Sequence, residues 1–203
     1  MQAVERIEGM AAPLMRDNID TDAIIASRDI TSPSREGLGA KLFAGWRFDA
    51  TGNERPDFIL NREPWRHAAI LIAGANFGCG SSREMAVWAL AGFGIRCVIA
   101  PSFGAIFRDN CIRNSLLPIT LPTPTVNALA AAAETNGRLV VDLQSCTLTL
   151  TSGQEHHFEF DAHEREMLLA GLDSIDLTWQ RRADIEAFET RDRQRRPWAW
   201  LSA

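Results

Sequence analysis

The sequence contains a single lysine, Lys41, which follows an alanine and not a glycine. A phosphate-binding P-loop needs the pattern G-K-[ST], so this class of nucleotide site is excluded. The same scarcity leaves only one side-chain amine for Schiff-base chemistry. The formal net charge of −5 offers no basic surface for a phosphate backbone, and we therefore expect no nucleic-acid partner.

Long apolar segments are also absent. No apolar run approaches the roughly 18 residues that a bilayer-spanning helix requires, so we expect no membrane partner. The first residues lack the apolar segment of a signal peptide, and we expect no export signal.

Cysteine is sparse and never occurs with C-x-x-C spacing. The four cysteines stand far apart in the sequence, at Cys79, Cys97, Cys111 and Cys146. Metal and iron–sulfur sites usually draw on closer pairs, so we expect no metal ligands in this chain. Unpaired cysteines without an export signal are typical of a reducing compartment, which predicts a cytoplasmic location.

The length and composition are sufficient for a substantial core. With 203 residues and 46% hydrophobic content, we predict a single domain over residues 1–203. Residues 16–58 are rich in Gly, Pro, Ser, Asp and Asn and have poor hydrophobic periodicity, which predicts an irregular region with a functional role. The mixed charges of residues 191–203 predict a solvated tail.

Strand-like and helix-like segments alternate from His67 onward. Before this region, residues 4–15 already read as a short strand. After His67, the pattern predicts strands at 68–73, 96–100 and 117–121. It predicts helices at 83–92, 103–113, 125–135, 162–170 and 181–190. Residues 138–160 read as a meander with a turn at Gly153. This alternation predicts an α/β fold with a largely parallel sheet.

The most informative segment is 78–84, with the sequence Gly-Cys-Gly-Ser-Ser-Arg-Glu. Its two glycines permit a sharp turn and the close approach of a ligand. Its serines stand at the predicted start of a helix, where free N–H groups and the macrodipole favour anions. Arg83 adds a planar fork that suits carboxylate or phosphate. The segment therefore predicts an anion-binding turn that carries two hydroxyls.

Other interpretations of this turn compete with an anion site. A capped helix is one, because serine is a preferred N-cap and Glu84 suits the first turn. A dinucleotide site is disfavoured, because Arg83 replaces the third glycine of G-x-G-x-x-G and the next strand runs into Pro101 without an acidic residue. A hydrolase nucleophile elbow is excluded, since neither serine has glycine two positions away on both sides.

Six blocks of sequence, in a fixed order, carry a family resemblance. They occupy residues 18–25, 34–43, 76–84, 98–103, 114–118 and 171–175. Together they resemble the swivel domain of the aconitase superfamily and, within it, the small subunits of 3-isopropylmalate dehydratases. The resemblance covers roughly residues 4–190. It implies a mixed α/β fold with a β-barrel-like or sandwich core and flanking helices.

The resemblance also implies a reaction. The family removes water from a 2-hydroxy dicarboxylic acid and returns it at the neighbouring carbon. For this subgroup, that isomerises 2-isopropylmalate and 3-isopropylmalate through isopropylmaleate, in leucine biosynthesis. A [4Fe–4S] cluster on a separate large subunit is implied as the Lewis acid for the hydroxyl. We therefore expect no cofactor on this chain, and a large cluster-bearing subunit as its partner in a heterodimer or higher assembly.

By the same resemblance, Ser81 matches the family's catalytic base and is expected to abstract a proton. Serine is a poor base at its free pKa, so the site must stabilise its alkoxide. Arg83 matches a substrate-carboxylate ligand of the family, and Ser82 is expected to bind a carboxylate through its hydroxyl or backbone N–H, with the N-cap as its other role. Gly80 supports the turn that presents them.

The second substrate arginine aligns best with Arg35, and Arg28 is the alternative. The element Asp20-Thr21-Asp22 resembles a D-T-D element of the family. Its acids, Asp22 among them, are expected either to orient the arginines or the serine loop, or to form an Asx-turn or helix cap.

Three departures from the family pattern bear on substrate choice. Met85 stands where the family usually has His, Val87 where it usually has Pro, and Glu36 in a loop usually written Arg-Thr-Gly. Glu36 adds a negative charge beside the presumed substrate arginine. Two alternatives therefore stay open. One is a hydratase subunit for citraconate/2-methylmalate or homoaconitate, and the other is a non-catalytic carboxylate-binding subunit.

Overall fold

One mixed sheet of seven strands forms the centre of the protein in a computed structural model that describes residues 1–30 and 34–200. The strands are β1 (Arg6–Leu14), β2 (Ile70–Ala73), β3 (Cys97–Ala100), β4 (Leu117–Thr120), β5 (Arg138–Asp142), β6 (Thr147–Leu150) and β7 (Glu155–His157). Their order across the sheet is β4-β3-β2-β1-β5-β6-β7. The strands β1 to β4 are parallel, and β5, β6 and β7 continue the sheet in antiparallel fashion.

Eight α-helices lie in the described part of the chain, and none of them is long and apolar enough to cross a membrane. They are α1 (Thr21–Ile24), α2 (Ala44–Arg47), α3 (Glu84–Phe93), α4 (Ala105–Arg113), α5 (Thr123–Asn136), α6 (Ala162–Ala170), α7 (Ser174–Gln180) and α8 (Arg182–Arg195). Short 3₁₀ helices occupy residues 27–29, 38–41, 59–61, 65–67 and 197–199.

The parallel strands are apolar on both faces because helices cover both sides of the sheet. In β2, Ile70 and Ile72 point into one core while Leu71 and Ala73 point into the other, and all four are fully buried. One core is shared with α1, α3 and the segment around Phe43, and the other with α5 and the antiparallel strands. The period-2 alternation of a strand thus assigns each side chain to one of two layers.

The predicted α/β fold, with a mixed sheet and flanking helices, is confirmed. The predicted strands and helices from β1 to β4 and from α3 to α6 agree with the observed ones to within two residues at each end. The predicted turn at Gly153 joins β6 to β7. The predicted irregular region, as far as it is described, contains short helical turns, loops and isolated β-bridges at Asp20 and between Phe48 and Glu54. Its residues 31–33 lie outside the described residues.

The C-terminal segment differs from the hydrophobic pattern. The helix α7 is not predicted by that pattern, and Asp173 begins it with a capping box. The helix α8 continues through the charged run, where Asp192 pairs with Arg196 and accepts a hydrogen bond from Trp200. Residues 201–203 of the predicted tail lie outside the described residues.

Candidate active site

Three loops meet where the parallel strands β1, β2 and β3 end. Their backbones continue the pairing of the sheet, because Gly78 N donates to Ile19 O at 2.7 Å and Phe77 N donates to Ser102 O at 3.0 Å. Thr21 N donates to Cys79 O at 2.9 Å and ties the start of α1 to the same loop. Ligands of open α/β sheets bind outside the carboxyl ends of strands, and the Gly-Ser-Ser-Arg turn lies at such an edge.

The two glycines of the turn serve different needs. Both have left-handed backbones, with φ of +73° at Gly78 and +93° at Gly80. A Cβ on Gly78 would lie 2.2 Å from the ring of Phe107, so the loop rests directly on α4. That ring is held edge-on to Phe77, with 5.4 Å between the ring centroids. A Cβ on Gly80 would meet only ordinary contacts at 3.5 Å. Gly78 is therefore required for packing and Gly80 mainly for its backbone conformation.

Ser81 is exposed at the tip of this turn, and a buried threonine lies beneath it. The Oγ of Ser81 is 3.1 Å from Oγ1 of Thr21, and Ser81 N donates to that same Oγ1 at 3.2 Å. Thr21 is 1% exposed, whereas the Ser81 side chain faces solvent. The serine that the family resemblance assigns to proton abstraction is thus held by hydrogen bonds to a buried residue and is accessible to solvent.

The start of α3 leaves several N–H groups available. The N-cap is Arg83, and it makes no side-chain capping bond, so neither serine caps this helix. No acceptor within residues 1–30 and 34–200 receives a hydrogen bond from the backbone N–H of Ser82, Arg83, Glu84 or Met85. Unpaired N–H groups at the positive end of a helix dipole favour an anion in front of them.

Arg83 and Asp22 form a two-pronged ion pair beside Ser81. Nη1 of Arg83 donates to Oδ1 of Asp22, and Nη2 donates to Oδ2 at 3.1 Å. Nη1 also donates to the carbonyl of Ile25 at 3.4 Å. The guanidinium holds the pKa of Asp22 below its usual range, and the carboxylate raises the pKa of Arg83. Both groups therefore stay charged at neutral pH.

This pairing uses the terminal edge of the guanidinium. A guanidinium has five N–H donors, and the edge formed by Nε and the second N–H of Nη2 remains free in the described contacts. That edge has the spacing of a carboxylate. Arg83 can therefore hold Asp22 and a substrate carboxylate at the same time.

The three residues of the element Asp20-Thr21-Asp22 make different contacts. Asp20 caps α1 by accepting from Ala23 N at 2.7 Å, which is the helix-cap role. Asp22 orients Arg83, which is the alternative role. Sequence reasoning assigned functions to the two acids and none to Thr21. The available signal was its position at the first turn of a helix within a D-T-D element.

The two candidate arginines of the irregular region make their described contacts with groups other than Ser81. Arg35 is exposed and stacks on the ring of Trp88, with its Cζ 4.8 Å from the ring centroid. Trp88 Nε1 donates to Asn114 Oδ1 at 2.9 Å, and Asn114 Nδ2 donates to Glu84 at 2.8 Å. This chain of contacts leads from Arg35 to the first turn of α3.

Arg28 is exposed in the 3₁₀ helix 27–29, and it makes no ion pair with another described residue. No described contact joins either arginine to Ser81. The choice between Arg35 and Arg28 as the second substrate arginine therefore stays a prediction.

The cysteines do not form a cluster-binding set. Cys97 and Cys111 are fully buried in the sheet and in α4, and burial raises the pKa of both thiols. Cys79 lies in the serine loop and Cys146 beyond β5, each half-buried. Among the described residues, no three His, Cys, Asp or Glu side chains converge as metal ligands. Within residues 1–30 and 34–200, the cysteines are thus not arranged as the grouped thiolate ligands that an iron–sulfur cluster needs.

Comparison with known proteins finds relatives of one family that align with nearly the whole chain. Residues 1–124 match the aconitase C-terminal domain family, and residues 127–162 match the LeuD family, described as LeuD_N. The chain is 53% identical over 195 residues to the 3-isopropylmalate dehydratase small subunit of Cupriavidus necator, covering 94% of each protein. It is 51% identical over 201 residues to the corresponding subunit of Rhodospirillum centenum, covering 98% of this chain and 99% of the relative.

A solved structure of the same family also matches this chain. The crystal structure of 3-isopropylmalate dehydratase from Methanocaldococcus jannaschii matches with a TM-score of 0.66 and 30% identity. The match covers 90% of this chain and 99% of that one. The resemblance seen in the sequence is therefore confirmed, and the chain belongs to the family of 3-isopropylmalate dehydratase small subunits within the aconitase superfamily.

Proposed function

We propose that this chain is the small subunit of a 3-isopropylmalate dehydratase and that it contributes the proton-abstracting base. The complete enzyme would interconvert 2-isopropylmalate and 3-isopropylmalate through isopropylmaleate, in leucine biosynthesis. The names of the relatives, and the family to which the chain belongs, support a hydro-lyase component that needs a large subunit. The observation that carries the proposal is that one turn holds both the exposed Ser81 and Arg83, whose Nε–Nη2 edge is free in the described contacts.

The reaction requires a base next to a carboxylate. Dehydration takes a proton from the carbon beside a carboxylate, and the released electron pair forms the double bond as hydroxide leaves the neighbouring carbon. Hydration of isopropylmaleate reverses these steps with the opposite regiochemistry. We assign the proton transfer to Ser81 Oγ, which is exposed and carries a hydrogen-bonded neighbour able to support a charged oxygen.

Substrate orientation falls to the groups around that oxygen. The free edge of Arg83 suits a carboxylate in a two-pronged geometry, and the unpaired N–H groups of the α3 start add further donors. Ser82, exposed next to Ser81, is assigned to the same carboxylate. A second carboxylate is assigned to Arg35, or to Arg28 as the alternative.

The leaving hydroxyl needs a Lewis acid that this chain does not supply. We assign that chemistry to a [4Fe–4S] cluster held by the large subunit, in a heterodimer or higher assembly. The scattered cysteines of this chain are consistent with that division of labour. A cytoplasmic location, with reduced thiols, belongs to the same proposal.

The test is hydration of isopropylmaleate followed by ultraviolet absorbance, under anaerobic conditions. We expect no activity from this chain alone and activity once a reconstituted cluster-bearing large subunit is added. Activity of the isolated chain would refute the assignment of the Lewis acid to the partner. A stable complex that hydrates citraconate or homoaconitate faster than isopropylmaleate would move the proposal to a related diacid.

Ser81→Ala tests the role of the serine. We expect kcat of the complex to fall by about 10²–10⁴-fold, since that is the usual contribution of a positioned base. Ser152→Ala is the matched control, because Ser152 is an exposed serine in the distal β6–β7 turn. Full activity of Ser81→Ala would favour the alternative of a non-catalytic carboxylate-binding subunit.

A further inference from the structure

Thr21 is the one side chain that hydrogen-bonds to the hydroxyl of Ser81 among the described residues. It stands sixty residues earlier in the sequence, at the first position of α1, and its side chain is almost fully buried. Its backbone N–H is bonded to Cys79 O, so the threonine is fixed to the loop by main chain as well as by side chain. A β-branched side chain in this setting has little rotamer freedom.

The other hydrogen bonds of Thr21 favour one direction for this contact. A threonine hydroxyl has one proton and two lone pairs. Ser81 N donates to Oγ1 of Thr21 at 3.2 Å, which occupies one lone pair and leaves the proton of Thr21 free to donate. The only described acceptor in its reach is Ser81 Oγ, at 3.1 Å. Either hydroxyl can be the donor at this distance, and donation by Thr21 is the arrangement that gives its buried proton an acceptor and lets the exposed serine proton point outward.

We propose that Thr21 is a positioning residue of the reaction, whose buried hydroxyl donates to Ser81 Oγ and stabilises that oxygen in its charged form. This inference rests on the proposed function, because it assumes that Ser81 acts as the base. A hydrogen bond to a charged oxygen is stronger than one to a neutral hydroxyl, so its effect is greatest when Ser81 has lost its proton. A group buried beneath the base can give this support without occupying space needed by substrate.

The titratable and charged groups beside Ser81 bear on any pH profile. They are Asp20 and Asp22 from the segment that begins α1, and Cys79, Arg83 and Glu84 from the serine loop and α3. Variants of Thr21 leave all of these groups in place. A difference in pH profile between such variants therefore cannot come from the removal of one of these groups.

The kinetic test compares Thr21→Val, Thr21→Ala and Thr21→Ser in the reconstituted complex. We expect Thr21→Val and Thr21→Ala to lower kcat by about 10- to 100-fold with KM changed less than about threefold, and Thr21→Ser to restore most of kcat. The rising limb of kcat/KM against pH should move upward by about 1 pH unit in the variants without a hydroxyl. Loss of kcat with an unmoved pH limb, or no rescue by Thr21→Ser, would overturn the proposal. If Thr21→Val does not fold, the comparison of Thr21→Ala with Thr21→Ser decides the matter.

A second measurement does not depend on substrate. In the isolated full chain, the backbone N–H of Ser81 should show protection from hydrogen exchange that Thr21→Ala removes and Thr21→Ser keeps. An unprotected Ser81 amide in the wild-type chain would contradict the geometry itself. A wild-type complex that hydrates none of the diacids would refute the proposed function instead, while the exchange experiment still decides the contact between Thr21 and Ser81.

Discussion

The packing of Gly78 against Phe107 makes a quantitative prediction for Gly78→Ala. The new Cβ would lie 2.2 Å from the ring of Phe107 and would occupy a backbone with φ of +73°. The left-handed conformation costs a residue with a Cβ roughly 1–2 kcal/mol. Overpacking costs about 1–3 kcal/mol more, and the ring is only 2% exposed and held against Phe77. We expect Gly78→Ala to lower the free energy of unfolding by about 2–5 kcal/mol.

Gly153→Ala is the matched control for this variant. Gly153 has a similar φ of +85°, and a Cβ there would meet nothing within 4 Å. It should therefore lose only the conformational part, about 1–2 kcal/mol. In a chain of this size, the difference between the two variants corresponds to about 2–12 °C in Tm.

Urea unfolding and thermal scans of the isolated chain measure both variants. Phe107→Leu combined with Gly78→Ala should cost less than the sum of the two single changes, because the smaller side chain gives the new methyl room. Equal destabilisation by Gly78→Ala and Gly153→Ala would refute the packing argument. In the complex, Gly78→Ala should also reduce activity, since Ser81 lies three residues further along the same turn.

Three further predictions concern charge and reactivity. In the folded chain, iodoacetamide should alkylate the half-buried Cys79 well before Cys97 and Cys111, whose thiols are buried and kept protonated; mass spectrometry that found equal rates would contradict their burial. The pKa of Asp161 is lowered by hydrogen bonds from the backbone at the start of α6, so its stabilising effect is present above the unfolded pKa and lost as pH falls through the folded one. Urea unfolding should therefore show Asp161→Asn losing less stability than the wild type between about pH 5 and pH 2, and parallel losses would contradict this. Arg83→Lys keeps the charge but not the fork, so KM for the diacid should rise about tenfold with little change in fold stability, and an unchanged KM would argue against carboxylate binding.

Local sequence carried much of the fold in this protein. The strands β2, β3 and β4 are short apolar runs bounded by glycine, proline or charge, and the helices between them show helical spacing. These signals act over a few residues, and they agreed with the structure from β1 to α6. The helix α7 was missed because its start depends on the capping box of Asp173, while its exposed Ile175 and Trp179 give no buried face to detect.

Local sequence signals predicted only part of the candidate site. The turn at 78–84 could be recognised because glycines, serines and an arginine of suitable chemistry stand together in the sequence. The partners of those residues could not, because Thr21 and Asp22 precede Ser81 and Arg83 by about sixty residues. Arg35 likewise stacks on Trp88 through packing that no local pattern expresses.

The sequence by itself determined the alternation of strands and helices, the serine turn and the family. Only the tertiary structure decided which hydroxyl lies beneath Ser81, which carboxylate holds Arg83 and which edge of the guanidinium stays free. The physical reason is the parallel pairing of β1 with β2, which brings the ends of two distant strands to one edge of the sheet. Side chains that are remote in sequence therefore meet there and hydrogen-bond to one another.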